Sequence, residues 1–318
     1  MNKTGIEWCD MTFNPITGCY HNCEYCYAMK QSQRFRGHWH EKDGKVLQCH
    51  TYSKYSIHKE TGYCVIAEAD IKHLYGEREM RPATKDPNNK DIFQYFPLFQ
   101  LDTPLEYLRK DDTIQDAPYP FGFLPTFHRY RLNEPREIKK QQNVFVGSMA
   151  DMFGQWVPDE WIMEVFKACE TAPQHRYLFL TKNPKRYTQP EIHNFGNEGT
   201  NKLYHKYPDN WCFGVTVTNI DECYSKLNKL PFFKNCFVSI EPIQDDVADY
   251  IMLNGRCYIK WVIIGAETGN RKGKIIPKRE WIEYIVDACS AAKIPVFLKN
   301  NLAEIWQESL IQEFPWEV

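Results

Sequence analysis

The sequence predicts an α/β fold, a partial or complete parallel (β/α) barrel with a long insertion after its first strand and a cysteine-bearing loop. Three observations predict it. Six short apolar runs recur between residues 144 and 300, amphipathic helical patterns lie between them, and the stretch from about Gln31 to Gln142 keeps neither rhythm. A chain of 318 residues has room for one large α/β domain or two smaller ones.

In chain order, the first candidate strand is residues 5–8, followed by the loop GCYHNCEYCYA at 18–28. Residues 1–39 are read as this strand and loop, 40–126 as the insertion, and 127–318 as the remaining β/α units. The insertion holds KDPNNKD, the aromatic-rich IFQYFPLF and PYPFGFLPTF, and is expected to form a cap, with a small separate domain as the alternative. The six runs are VFVGSMAD (144–151), RYLFLTKN (176–183), WCFGVTVTN (211–219), CFVSIEP (236–242), WVIIGAET (261–268) and PVFLKN (295–300). Near-continuous apolar strands belong to a parallel sheet buried on both faces. Helices are expected at 158–172, where Pro158 and Asp159 suit a first turn, and at 277–292. Both repeat one spacing, Trp161-Ile162 before Ala168-Cys169 and Trp281-Ile282 before Ala288-Cys289, through equivalent roles in a β/α repeat or chance similarity of two amphipathic helices.

Composition narrows the function classes. A net charge of −2 advertises no global attraction to nucleic acid or an anionic membrane. No run approaches the roughly 18 apolar residues of a membrane helix, and the start MNKTGIEWCD lacks the apolar core of a secretory signal. Twelve cysteines without an export signal predict a reducing cytoplasm and thiols rather than disulfides. Nine are scattered singly, at positions 9, 49, 64, 169, 212, 223, 236, 257 and 289, and most of these are expected to be small buried apolar residues.

The other three, Cys19, Cys23 and Cys26, stand at C-x3-C-x2-C. Soft thiolates select iron–sulfur, zinc or copper(I). A closed structural zinc site and an electron-transfer cluster each want four ligands. Three thiolates on a four-iron cluster leave one iron open to a ligand. Cys9 or His21 as a fourth ligand would instead close the site.

This spacing, with Tyr25 before the last cysteine, resembles the signature of the radical S-adenosylmethionine (SAM) superfamily. The resemblance implies a 4Fe–4S cluster on Cys19, Cys23 and Cys26 and SAM bound at the open iron. Reductive cleavage would then give methionine and a 5′-deoxyadenosyl radical, with a reductant such as flavodoxin or ferredoxin as electron donor. IEWCDMTFNPITGC, VFVGSMADMF, PDEWIMEVF, APQHRYLFLTKNPKR, FGVTVTN, FVSIEP, VIIGAETG and PVFLKN, in this order, further resemble a phage-associated, radical-SAM-like family designated domain of unknown function 5131. Members often carry Thr where this chain has Cys9, which argues against Cys9 as a needed ligand. The resemblance implies that Tyr25 lies against the adenine and that Ser148 and Asp151, in the turn where such proteins bind the SAM amino group, hold SAM. The usual Gly-Gly-Glu segment is absent there.

In a β/α barrel the working residues stand at the C-terminal ends of the strands. Those ends read Asp151, Lys182, Asn183, Thr218, Asn219, Glu241, Glu267 and Lys299. Carboxylates and amines after apolar runs are costly unless they face a polar, ligand-filled mouth. Glu241, Glu267, Lys182 and Lys299 are therefore the candidate catalytic or substrate-binding groups, with Thr218 and Asn219 expected to help bind SAM. No G-x-S-x-G elbow, dinucleotide fingerprint or Walker lysine is present. His38, His40, Cys49, His50, His58 and Cys64 match no common metal-site spacing. A basic tract at 30–59, interleaved with Phe35, Trp39, Tyr52 and Tyr55, could contact nucleic acid or form a solvated flap.

The function expected is thus a radical SAM enzyme acting on an unidentified substrate, with a nucleobase, nucleotide or modified DNA ahead of a peptide. The alternative is a non-enzymatic barrel, braced by zinc or a closed iron–sulfur site, that binds nucleic acid or protein.

Overall fold

The computed structural model describes residues 1–35, 98–104, 106–108, 114–189, 192, 207–231, 233–254 and 259–317, with four short strands at 41–42, 45–46, 55–57 and 64–66. The chain divides into two compact units, Met1–Phe13 with Asn133–Val318, and Asn14–Leu132.

The first unit is built on one sheet of eight strands: β1 (Asn2–Lys3), β2 (Met11–Phe13), β3 (Asn143–Val146), β4 (Arg176–Thr181), β5 (Trp211–Val217), β6 (Cys236–Ile240), β7 (Ile259–Ile264) and β8 (Val296–Leu298). They lie side by side in sequence order. β1 is antiparallel to β2, and every other neighbouring pair is parallel. All six apolar runs are strands. A parallel pair needs a crossover, and helices α1 (Asp159–Glu170), α2 (Ile220–Lys226), α3 (Ala248–Asn254) and α4 (Arg279–Ala291) occupy four of them. α1 and α4 are the two predicted helices, and each buries its Ile and Cys, Ile162 with Cys169 and Ile282 with Cys289.

Strand alternation sorts the core into two faces. Val215, Val217, Val238, Ile240, Val262, Ile264, Val296 and Leu298 pack with Cys223, Ile251, Ile282, Ile285 and Cys289 of α2, α3 and α4. The opposite face presents Phe145, Leu178, Cys212, Phe237, Trp261, Ile263 and Phe297, which enclose Trp8 and Cys9. The Trp8 ring lies 4.6 Å from Phe145 on β3 and 6.2 Å from Trp261 on β7. Those strands are four positions apart, about 19 Å in a flat sheet. One indole meets both only because the sheet curls around it. Among the described residues no ladder joins β1 to β8, so the sheet is a mostly parallel trough rather than a closed barrel.

Residues 5–8 are not the first strand. Ile6 N–H donates to Thr4 Oγ1 at 3.1 Å and Cys9 N–H to the Ile6 carbonyl at 3.4 Å, so this segment turns. Its hydrophobicity serves Trp8, 2% exposed on the concave face, and the strand follows at Met11–Phe13. Beyond β8 the chain returns along that strand, with Leu298 N–H donating to the Ile311 carbonyl and Glu313 N–H to Val296. Phe314 and Trp316 then reach Trp261.

The second unit holds a three-stranded sheet in which Thr126–His128 lies between Ile16–Thr17, antiparallel, and Phe99–Leu101, parallel. The helix Tyr27–Phe35 and a ladder of Glu106–Leu108 with Ile114–Asp116 accompany it. His38, His40, Cys49, His50 and His58 lie outside the described residues, as does most of the basic tract; Cys64 begins the short strand Cys64–Ile66. No helix among the described residues is long and apolar enough to cross a membrane.

Truncating the residue around which the sheet curls should be expensive. Trp8→Ala is expected to cost about 3–5 kcal/mol in urea unfolding, the usual range for emptying a buried aromatic site. A loss below about 1 kcal/mol would show that Trp8 does not hold the trough.

Candidate functional site

The cysteine loop begins where Ile16–Thr17 ends. Gly18 has φ +85° and Asn22 φ +52°, left-handed conformations that Gly and Asn adopt at little cost and that fold the chain around Cys19 and Cys23. Cys26 N–H donates to the Cys23 carbonyl at 3.1 Å, and the helix Tyr27–Phe35 starts at the next residue. Backbone N–H groups point at two sulfurs, His21 at Cys19 Sγ (3.4 Å) and Met29 at Cys26 Sγ (3.3 Å). Such donors favour the thiolate over the thiol. Cys19, Cys23 and Cys26 are half-buried and none is in a disulfide; Tyr25 stands among them, also half-buried.

Among the described residues no group of three or more His, Cys, Asp or Glu side chains is gathered as for a metal ion. By their chemistry three thiols are soft ligands of the kind that iron–sulfur, zinc and copper(I) sites use, and two of these sulfurs carry an N–H donor.

The scattered cysteines are of another kind. Cys9, Cys169, Cys212, Cys223, Cys236 and Cys289 are all buried. Burial pushes the thiols of Cys9, Cys212, Cys223, Cys236 and Cys289 up to about 12 and that of Cys169 well above its usual value. Cys9 sits in the aromatic core of the trough as a neutral thiol, a poor state for a ligand.

At the C-terminal ends of the strands the structure brings the predicted polar residues into four groups. Asp151, buried beyond β3, accepts from Phe153 N–H (3.0 Å), Thr181 Oγ1 (2.7 Å) and Lys182 N–H (2.9 Å). It ties the turn after β3 to the end of β4. Ser148 is half-buried in that turn, which Gly147 opens with φ +81°. Asn219 caps α2 by accepting from Glu222 N–H at 2.9 Å, while Thr218 Oγ1 donates to Glu222 Oε2 at 3.0 Å. Burial would raise the Glu222 carboxyl, but Lys226, 2.7 Å away, and Lys182 outweigh it and hold it below its usual range. Glu267, 4% exposed, forms a two-point pair with Arg271 at 2.7 and 2.8 Å. Asp151, Thr218, Asn219 and Glu267 thus meet their desolvation cost with protein partners.

Glu241 and Lys299 differ. Lys299 Nζ lies 3.0 Å from Glu241 Oε2 and 3.9 Å from Glu7 Oε2, so one ammonium serves two carboxylates. Burial would lower the lysine, but Glu241 and Glu7 outweigh it and raise it above its usual range. Glu241 Oε1 is buried and, among the described residues, has no hydrogen-bond donor. Gly265 makes the pair possible, because a Cβ there would stand 2.9 Å from Lys299 Cδ and 3.2 Å from Glu241 Cγ. Sequence reasoning missed Glu7 and Gly265: a glutamate in a turn and a glycine after an apolar run carry no signal of their own.

The curled, mostly parallel sheet with its helical crossovers defines an α/β protein. The profile of the family described as "Protein of unknown function (DUF5131)" matches residues 3–72 and 109–310, well over half of the chain, and the chain belongs to that family. No curated protein and no solved structure matches it.

The two kinds of cysteine should separate chemically. Brief alkylation of the folded, metal-free protein at pH 8 is expected to label Cys19, Cys23 and Cys26 and to spare Cys9, Cys169, Cys212, Cys223, Cys236 and Cys289 in peptide mass spectra. Prompt labelling of Cys9 would refute its burial as a neutral thiol.

Proposed function

We propose that the protein is a radical SAM enzyme, with Cys19, Cys23 and Cys26 holding a 4Fe–4S cluster whose fourth iron binds SAM. When bound, the cluster would supply the electron that cleaves SAM and so generates a hydrogen-abstracting 5′-deoxyadenosyl radical. One observation carries this reading: three half-buried thiols share a short loop with N–H donors on two sulfurs, while six other thiols are buried in the core.

The remaining roles fall to this chain's own side chains. Tyr25, between two ligands, would flank the adenine, and Ser148 would meet the SAM amino group. Asp151, Thr218 and Asn219 would shape that site through the turns they brace. Glu241 keeps a carboxylate oxygen for a donor group of SAM or substrate, while Lys299 Nζ stands 3.0 Å from its other oxygen. Lys182 stands beside Glu222 at the neighbouring strand ends, and Glu267 fixes Arg271. The substrate class proposed is a nucleobase, nucleotide or modified DNA, by analogy with the phage association of similar proteins. A flavodoxin or ferredoxin would deliver the electron, in a reducing cytoplasm.

Electron paramagnetic resonance of anaerobically reconstituted, reduced protein tests the reading. A four-iron signal that changes on adding SAM is expected, and Cys23→Ala should abolish it while Cys9→Ala leaves it intact. A signal indifferent to SAM, or one zinc per chain and no iron, would overturn the proposal in favour of a metal-braced binding protein.

The Glu241–Lys299 pair generates a separate expectation. Glu241→Gln and Lys299→Met should keep iron and sulfide at wild-type content but weaken SAM or nucleotide binding about tenfold by calorimetry. Unchanged binding of both would remove the pair from the site.

A further inference from the structure

The approach to the cysteine loop is held residue by residue by a segment more than a hundred positions downstream. The Pro15 carbonyl accepts from His128 N–H at 2.7 Å, Ile16 pairs with Phe127, and Thr17 pairs with Thr126. Gly18 lies so close that a Cβ there would stand 2.4 Å from the Leu124 carbonyl carbon, and Cys19 N–H donates to the Phe123 carbonyl at 3.2 Å. A side-chain bond reinforces these backbone contacts. His128 Nε2 lies 2.9 Å from Thr17 Oγ1, and its Nδ1 lies 3.2 Å from the Tyr130 hydroxyl.

Thr17 is 1% and His128 0% exposed. Burial first, then the Arg131 guanidinium, hold the imidazole well below its usual pKa, so the ring is neutral. A neutral imidazole has one donor and one acceptor nitrogen, and the two flanking hydroxyls can satisfy either tautomer. Removing one partner would leave a polar atom stranded in a sealed site.

We propose that His128 is a positioning residue for Cys19: by fixing Thr17 against the bed formed by residues 123–128, it sets the direction from which the Cys19 thiolate reaches iron. This rests on the reading of Cys19 as a cluster ligand. Partners behind a metal ligand commonly change metal affinity 10–100-fold when removed, and a ligand only two residues from Thr17 is within reach of such an effect.

Thr17→Val removes the hydroxyl at nearly constant volume, Thr17→Ser restores it, and His128→Gln keeps one donor and one acceptor. Reconstituted Thr17→Val is expected to lose iron to an excess of a ferrous chelator about tenfold faster than wild type, with Thr17→Ser at the wild-type rate and His128→Gln between them. In the metal-free protein, alkylation of Cys19 relative to Cys23 should rise several-fold in Thr17→Val and return in Thr17→Ser. Wild-type rates in Thr17→Val by both measures would overturn the role of His128. Failure of wild type itself to take up iron would instead refute the cluster reading, and the alkylation ratio would still decide whether His128 positions Cys19.

Discussion

The sheet depends on the packing of one indole. Trp8 fills the concave face and brings rings on β3, β6 and β7 to a common centre. Dense aromatic contact makes curling favourable, since a flat sheet would leave Phe145, Phe237 and Trp261 facing water on that side. Curling has a directional result. Phe237 and Trp261 lie in the N-terminal halves of β6 and β7, whereas Thr216 and Ser239, paired in register across β5 and β6, occupy buried positions farther along. The trough is thus filled with carbon at its base and lined with hydroxyl-bearing residues toward the strand ends. Polar side chains beyond those ends are then the natural continuation of the gradient.

How those polar side chains are spent separates architecture from chemistry. Asp151, Asn219 and Glu267 each consume their acceptor capacity on a turn, a helix start or an arginine. Such bonds immobilise loops at strand ends, and a rigid rim holds a ligand better than a mobile one. Glu241 stands apart because one oxygen is paired and the other is buried with no donor among the described residues. A stranded carboxylate oxygen costs stability.

Much of this was legible in the residues, for identifiable reasons. Strands buried on both faces must be apolar throughout, which made all six runs visible, and two helices sharing a Trp-Ile and Ala-Cys spacing both bury its Ile and its Cys. Residues 5–8 misled because an apolar segment can serve a core without pairing, whereas Met11–Phe13, the true strand, has only three residues with Thr12 at its centre. Polarity at the strand ends was equally plain, but composition cannot tell an aspartate that braces a turn from one that waits for a ligand. His128 was silent: a lone histidine beside Phe127 reveals nothing until the chain places it against Thr17.

The segment that returns past β8 has a consequence for association. An uncovered parallel edge offers a row of unpaired N–H and C=O groups on which another chain can add a strand. Here Ile311 and Glu313 occupy that row on β8, and the side chain of Gln312 also donates to the Leu298 carbonyl. At the other margin β1 has just two residues, too short to template a stable neighbour. This sheet therefore ends itself at both margins, and neither margin offers a long row of unpaired backbone groups to another chain.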